Sequence, residues 1–244
     1  MGRLLSWKKG NFRFFFVLSF VLLFIVGILI FKQCLNKTYY FKSDLPQYYL
    51  SAVKYYKEHL FASAIKETRR ILKIDPNYKD AYVLLGDIYV DIGLYHEAIR
   101  QYLKATEIDS MSKDAHCKLA LAYWQIGDYA HSGRVFETIL RTIDPNDIAL
   151  KHNLASCYLN QSLFRMAMEK YREILKLDPN YAIAYYNIGI IYFNYYQDYQ
   201  KAIAEWTKAL EINPNMEEAT KAKVFIKNAR IKLEEESSAE GNKD

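Results

Sequence analysis

The sequence predicts an all-α protein: a solenoid of helix hairpins stacked in register, preceded by one membrane-spanning helix and closed by a charged helix. Three observations predict it. The first is an uncharged apolar run from Phe14 to Phe31, FFFVLSFVLLFIVGILIF. The second is a helix ending that is written twice, ILKIDPNY at 71–78 and ILKLDPNY at 174–181. The third is its spacing: Pro76, Pro145, Pro179 and Pro214 stand 69, 34 and 35 residues apart, which is one or two periods of about 34 each time.

Residues 1–13 form a basic flank, with Arg3, Lys8, Lys9 and Arg13. The run 14–31 that follows would make a helix about 27 Å long at about 1.5 Å per residue, close to the roughly 30 Å of a bilayer's hydrocarbon core. Its Leu, Ile, Phe and Val side chains each favour insertion by roughly 0.3–0.6 kcal/mol. A cleaved signal peptide fits less well, because Lys32-Gln33-Cys34 follows the run where an Ala-x-Ala-like site would be needed. Residues 32–44 are read as a juxtamembrane linker. The basic bias before the span predicts a single pass through the inner or plasma membrane, the N-terminus in the cytoplasm and the rest outside it, in the periplasm of a two-membrane cell.

Charge excludes some function classes. The chain carries a net charge of +5, but seven of its 33 basic residues and no acidic one precede Asp44, which leaves 26 against 28 and a net −2. The bulk of the protein is therefore not basic, and with no zinc-finger spacing or RNA-reading motif, nucleic acid is not an expected partner. Cys34, Cys117 and Cys157 form no CxxC pair, and the five histidines stand singly, so neither a metal nor any other cofactor is expected.

From Leu45 the period divides the chain into five units, 45–78, 79–112, 113–147, 148–181 and 182–214. Ser110 replaces proline in the second, in the matching context ATEIDSM. Each unit has two helical patterns. Proline after the second removes a donor where the helix must stop, and the Asp or Asn before it favours a turn. The third unit ends one residue late, and the fifth has a longer internal turn at FNYYQDYQ. Residues 215–236 read as a closing helix that covers the last unit, and 237–244 as a disordered tail.

In the second unit Tyr82, Leu85, Gly86 and Tyr89 are followed by Ala98, Tyr102 and Ala105. The third offers Leu119, Ala120, Tyr123, Ser132 and Phe136 at those places, the fourth Leu154, Ala155, Tyr158, Ala167 and Tyr171, and the fifth Ile188, Gly189, Tyr192, Ala202 and Trp206. The first unit is degenerate, with Ser51 and Thr68 where larger apolar groups are usual. This pattern resembles the tetratricopeptide repeat. Small residues at the eighth and twentieth places let two antiparallel helices approach, and the large rings fill the space beside them.

The resemblance implies a right-handed superhelix of five hairpins whose first helices line a concave face that holds a peptide or helix of a partner protein. Carried over unit by unit, that face consists of Tyr49, Val53 and Tyr56, then Leu84, Asp87 and Asp91, then Asp114, Lys118, Leu121 and Trp124. The fourth unit adds His152, Asn153 and Asn160, and the fifth Tyr186, Asn187, Ile190 and Asn194. Relatives that hold the acidic C-termini of chaperones use Lys, Arg and Asn there; here Asp87 and Asp114 stand beside Lys118, which departs from that pattern. The solenoid leaves no room for an enzyme domain, and no catalysis is expected.

The function expected is that of an anchored adaptor or scaffold in a cell-envelope complex, such as outer-membrane assembly, secretion or a flagellar motor collar. A cytosol-facing co-chaperone or regulatory adaptor is the alternative, and a self-assembling structural protein a second; a homo-oligomer is compatible with the sequence but not indicated by it.

Overall fold

The computed structural model describes residues 26–28 and 43–241. The anchor expected over 14–31 lies outside the described residues except for Val26–Ile28, which are helical and exposed. Among the described residues no helix is long and apolar enough to cross a membrane. From Leu45 on there are eleven α-helices and, among the described residues, no strand. They are α1 (Leu45–Lys57), α2 (Phe61–Ile74), α3 (Lys79–Asp91), α4 (Tyr95–Ile108), α5 (Lys113–Gln125) and α6 (Tyr129–Thr142). Then come α7 (Ile148–Asn160), α8 (Phe164–Leu177), α9 (Ala182–Ile191), a π-helical turn (Tyr192–Tyr196), α10 (Tyr199–Ile212) and α11 (Ala219–Gly241). The chain divides into two compact units, one ending at Ile88 and the other beginning at Tyr89.

In the first unit α1 packs on α2. Ala52, Ala64, Leu84 and Ile88 form one buried cluster, and Leu45, Ile71 and Ala81 another. Thr68 is fully buried in α2, where its hydroxyl donates to the Ala64 carbonyl at 2.7 Å. A buried hydroxyl is tolerable only with such a partner.

In the second unit each helix from α4 to α11 packs on the next. The central core joins Ala120, Phe136, Ile139, Leu154, Ala155, Tyr158, Tyr171, Ile174 and Ile188. Ser132, at a place where the repeat usually has alanine, is fully buried and donates across the hairpin to the Ala120 carbonyl at 2.8 Å. The last core joins Ala202, Trp206 and Ala209 of α10 to Ala222 and Ala229 of α11.

The recurring ending is explained by one turn. Asp75, Asp109, Asp178 and Asn213 are each the residue just after a second helix, and each side chain accepts from the amide two residues on, at 2.9–3.2 Å. Each carbonyl also accepts from the amide three residues on. That is an Asx-turn, and it forms at Asp109 although Ser110 stands where the others have proline. After α6 the extra residue is taken up differently: the amides of both Ile143 and Asp144 donate to the Ile139 carbonyl, at 2.8 and 2.9 Å. The Asp144 carboxylate then accepts from Lys113 at 2.7 Å.

A second periodic feature lies between the two helices of each hairpin. His59, Gly93, Gly127, Ser162 and Gln197 all have left-handed backbone, with φ from 53° to 76°. They follow the period of 34 or 35, yet only two of them are glycine, the residue that adopts this conformation without cost.

The expected tail is corrected by the structure. α11 begins at Ala219 and continues to Gly241, so residues 237–241 are helical; 242–244 lie outside the described residues. The hydroxyls of Ser237 and Ser238 both donate to the Glu234 carbonyl, and Lys232 pairs with Glu235 at 2.9 Å. Short-range pairs of this kind support an exposed helix.

Candidate protein-binding face

The expected face is built from the first helices of the hairpins. In the first unit Tyr49, Val53 and Tyr56 of α1 are half-buried. The Tyr49 ring lies 5.6 Å from Tyr78 and that of Tyr56 6.3 Å from Phe61. Leu84 is not on a face: it is 5 % exposed and packs with Ala52, Ala64 and Ile88. Asp87 is half-buried.

In the second unit Asp91 and Asp114 are exposed, and Leu121 presents half of its surface to solvent. Lys118 is half-buried, and so is Trp124, whose indole meets the Tyr129 ring edge-on at 4.8 Å. On α7 His152 and Asn153 are half-buried and Asn160 is exposed, its amide donating to the Ser156 carbonyl at 2.9 Å. On α9 Asn187 donates to Ile183 at 3.0 Å, Ile190 packs into the last core, and Asn194 is exposed on the π-helical turn. Tyr186 is a second correction. It is 6 % exposed, covered by Trp206 and by Phe225 of α11, whose ring stacks on it at 6.4 Å.

The register explains how this surface changes along the second unit. Cys117, His152 and Tyr186 occupy equivalent places 35 and 34 residues apart, the first two half-buried and the last buried. Burial raises the pKa of the Cys117 thiol, which makes it a sluggish nucleophile. His152 lies between the rings of Tyr171 and Tyr181, at 5.9 and 6.0 Å, and its Nδ1 is buried without a partner. Burial holds its pKa below 6.5, with the Glu218 carboxylate acting weakly in the opposite sense. Tyr181 also lines an open groove of about 500 Å³ with Ile183, Ile212, Asn213 and Met216. The surface is thus amide and aliphatic at α7 and α9, with exposed carboxylates at Asp91 and Asp114. Among the described residues no cluster of side chains could hold a metal ion.

Tyr181, Glu218 and Met216 were not among the expected site residues. The recurring ending held the signal for the first. Its final residue is Tyr78, Ser112, Asp147, Tyr181 and Met216 in turn. Ser112 and Asp147 cap the next helix, accepting from the amides of Ala115 and Leu150, whereas Tyr78 and Tyr181 fold onto the equivalent residues Tyr49 and His152. The ending is repeated in full where a ring covers the face.

A family model of the TPR repeat matches residues 86–127 and 165–194, and one of the tetratricopeptide repeat matches 182–216. Tetratricopeptide repeats are thus found within residues 86–127 and 165–216. Its fold is an all-helical tetratricopeptide solenoid, similar to solved structures of such proteins. MamA is 25 % identical, the match covering 75 % of this chain and 96 % of that one with a TM-score of 0.63. YrrB, described as a TPR protein with an unusual peptide-binding site, is 23 % identical over 75 % of this chain and 93 % of its own, also with a TM-score of 0.63. MamA from Desulfovibrio magneticus RS-1, from residue 41 to its end, is 16 % identical over 71 % and 97 %, with a TM-score of 0.62. At 23 % and 16 % the latter two bear on the fold alone. No curated protein matches the chain.

Proposed function

We propose that this protein is a membrane-anchored tetratricopeptide adaptor that binds partner proteins through the first-helix face and helps to assemble or hold a cell-envelope complex. The observation that carries the binding role is the combination of tetratricopeptide repeats with a first-helix surface on which Leu121, Asn153 and Asn160 are accessible beside two exposed carboxylates. Amides of this kind can grip a peptide backbone, and aliphatic anchors supply the apolar contact. That YrrB has a peptide-binding site is in keeping with it. The role is binding, not catalysis. The anchor rests on the run 14–31, and the positive-inside bias puts the helical domain outside the cytoplasm.

The test of the binding face is photo-crosslinking in cells from a reactive residue placed at Leu121 or Asn153, with Lys208 on α10 as the control site. Partner adducts from 121 and 153 and none from 208 are expected; equal adducts from all three would overturn the face assignment. Asp91→Lys with Asp114→Lys should weaken capture of a basic partner and leave the melting temperature within a few degrees, since both side chains are exposed. Topology is tested separately with a cysteine placed at the exposed Glu217, because Cys157 is buried and Cys117 is half-buried, with its thiol pKa raised by that burial. Labelling by an impermeant thiol reagent in intact cells supports the extracytoplasmic side; labelling only after lysis would make the cytosol-facing adaptor the better reading.

A further inference from the structure

The second helices of the hairpins differ in charge. α4 and α10 each balance two basic residues with two acidic ones, whereas α2 carries Lys66, Arg69, Arg70 and Lys73 against Glu67 alone. The four fall at i, i+3, i+4 and i+7, a single stripe of one helical face. All four are exposed, and the buried residues Ala64, Thr68 and Ile71 occupy the opposite face. α8 also has four basic residues, but there Lys170 is held by Glu173 at 2.6 Å and Arg172 donates to the Tyr192 hydroxyl at 3.2 Å. On α2 Arg70 lies 3.7 Å from Glu67 and also reaches α1. Its guanidinium lies 4.0 Å from the centre of the Tyr48 ring and donates to the Tyr48 hydroxyl at 3.0 Å.

That contact also locates the stripe. Tyr48 is in the first turn of α1, and Leu45 packs with Ile71 of α2, so Arg70 and Lys73 stand at the end of the hairpin where the chain enters. The eleven residues 32–42 before it can span no more than about 40 Å even when fully extended, and they add Lys32, Lys37 and Lys42. We propose that the basic stripe of α2 docks on the anionic phospholipid headgroups beside the anchor, laying the first hairpin against the bilayer. This rests on the reading that residues 14–31 span the membrane. Phosphate groups suit it chemically: arginine forks match phosphate oxygens and lysines add point charge, and each basic residue near an anionic leaflet strengthens an attraction that salt screens.

The test uses the full chain in vesicles of phosphatidylcholine alone or mixed with phosphatidylglycerol. An impermeant amine-acylating reagent modifies the exposed lysines, and mass spectrometry reads the rate at each. In the anionic vesicles Lys66 and Lys73 should react at least about five-fold more slowly than in the neutral ones, with full recovery at high salt and no change at Lys208 or Lys223. Arg69→Glu with Lys73→Glu should abolish the protection at Lys66 while the far-ultraviolet circular dichroism stays that of the parent. Equal rates in both vesicles, with the protein resisting carbonate extraction, would overturn the proposal. Equal rates that fall only when polyglutamate is added would overturn it too, and assign the stripe to an acidic polypeptide. Extraction by carbonate removes the anchor reading instead; if Lys66 and Lys73 are still protected by anionic vesicles, the stripe stands without it.

Discussion

The fourth and fifth hairpins solve the same packing problem with opposite allocations of volume. In the fourth, Ala155 of α7 shares a core with the fully buried Tyr171 of α8, whose hydroxyl lies 3.4 Å from that of Ser156; burial pushes the Tyr171 hydroxyl's pKa up to about 12. In the fifth, the ring grows to Trp206 and the small residue shrinks to Gly189. A methyl group built on Gly189 would lie 2.5 Å from the indole nitrogen and 2.7 Å from Cδ1. That nitrogen already donates to the Tyr186 carbonyl at 3.0 Å, so the ring has no other place to go. Between these two hairpins a smaller residue on the first helix accompanies a larger ring on the second, so the core stays filled. The turns differ as well. The fourth hairpin closes with Leu163 donating to Tyr158 at 2.8 Å, while the fifth inserts one more residue as a π-helical turn closed by Asp198 and Tyr192 at 3.0 Å.

This contrast breaks most readily at Gly189. Gly189→Ala should cost about 2–3 kcal/mol, read from urea midpoints, and Gly189→Ala with Trp206→Tyr, which copies the fourth hairpin, should regain most of it. A double variant no more stable than the single would show that the pair is not the unit of packing. Next in size are the left-handed turns. Gly127→Ala should destabilise by about 1–2 kcal/mol and Ser162→Gly stabilise by about 1 kcal/mol; a loss at Ser162 would mean that its side chain earns its place there. Gly133→Ala sharpens the comparison from the other side. A methyl there meets Cys157 Cβ at 3.5 Å, ordinary contact, so helix propensity should stabilise by up to about 1 kcal/mol.

The smallest effect is one of pH. With the folded pKa of His152 held below 6.5, the unfolded chain takes up the proton first as pH falls. Stability is therefore fully present above 6.5 and declines below it until the folded form protonates as well. His152→Leu should flatten that slope in thermal melts; an unchanged slope would place the titrating group elsewhere.

How much of this was legible in the sequence depends on whether a residue's role is local. The Asx-turn needs one carboxylate or amide side chain and two nearby amides, so the DPN endings at 75 and 178 announced it; Asp109 forms it without proline, and Asp144, in the same DPN setting, pairs with Lys113 instead. The left-handed turn was half visible: Gly93 and Gly127 are what that conformation favours, while His59, Ser162 and Gln197 carry no such mark. Face assignment was the least legible. Leu84 and Tyr186 have the spacing of their exposed neighbours, and only the packing of α1 and α2 around one, and of Trp206 and α11 around the other, decides that they are buried. The helix over 237–241 was hidden for a related reason, since a short polar segment looks the same whether it frays or continues α11.

The pairing of Gly189 with Trp206 also equips the protein with an optical gauge. The chain has three tryptophans. Trp206, 1 % exposed and hydrogen-bonded inside the last core, should emit in the blue and respond only when that core opens. Trp124, half-exposed on the expected binding face, should shift when something settles there. With Trp7→Phe the remaining two divide the spectrum between integrity and occupancy, so a single titration could separate a partner that binds from one that merely unfolds the array.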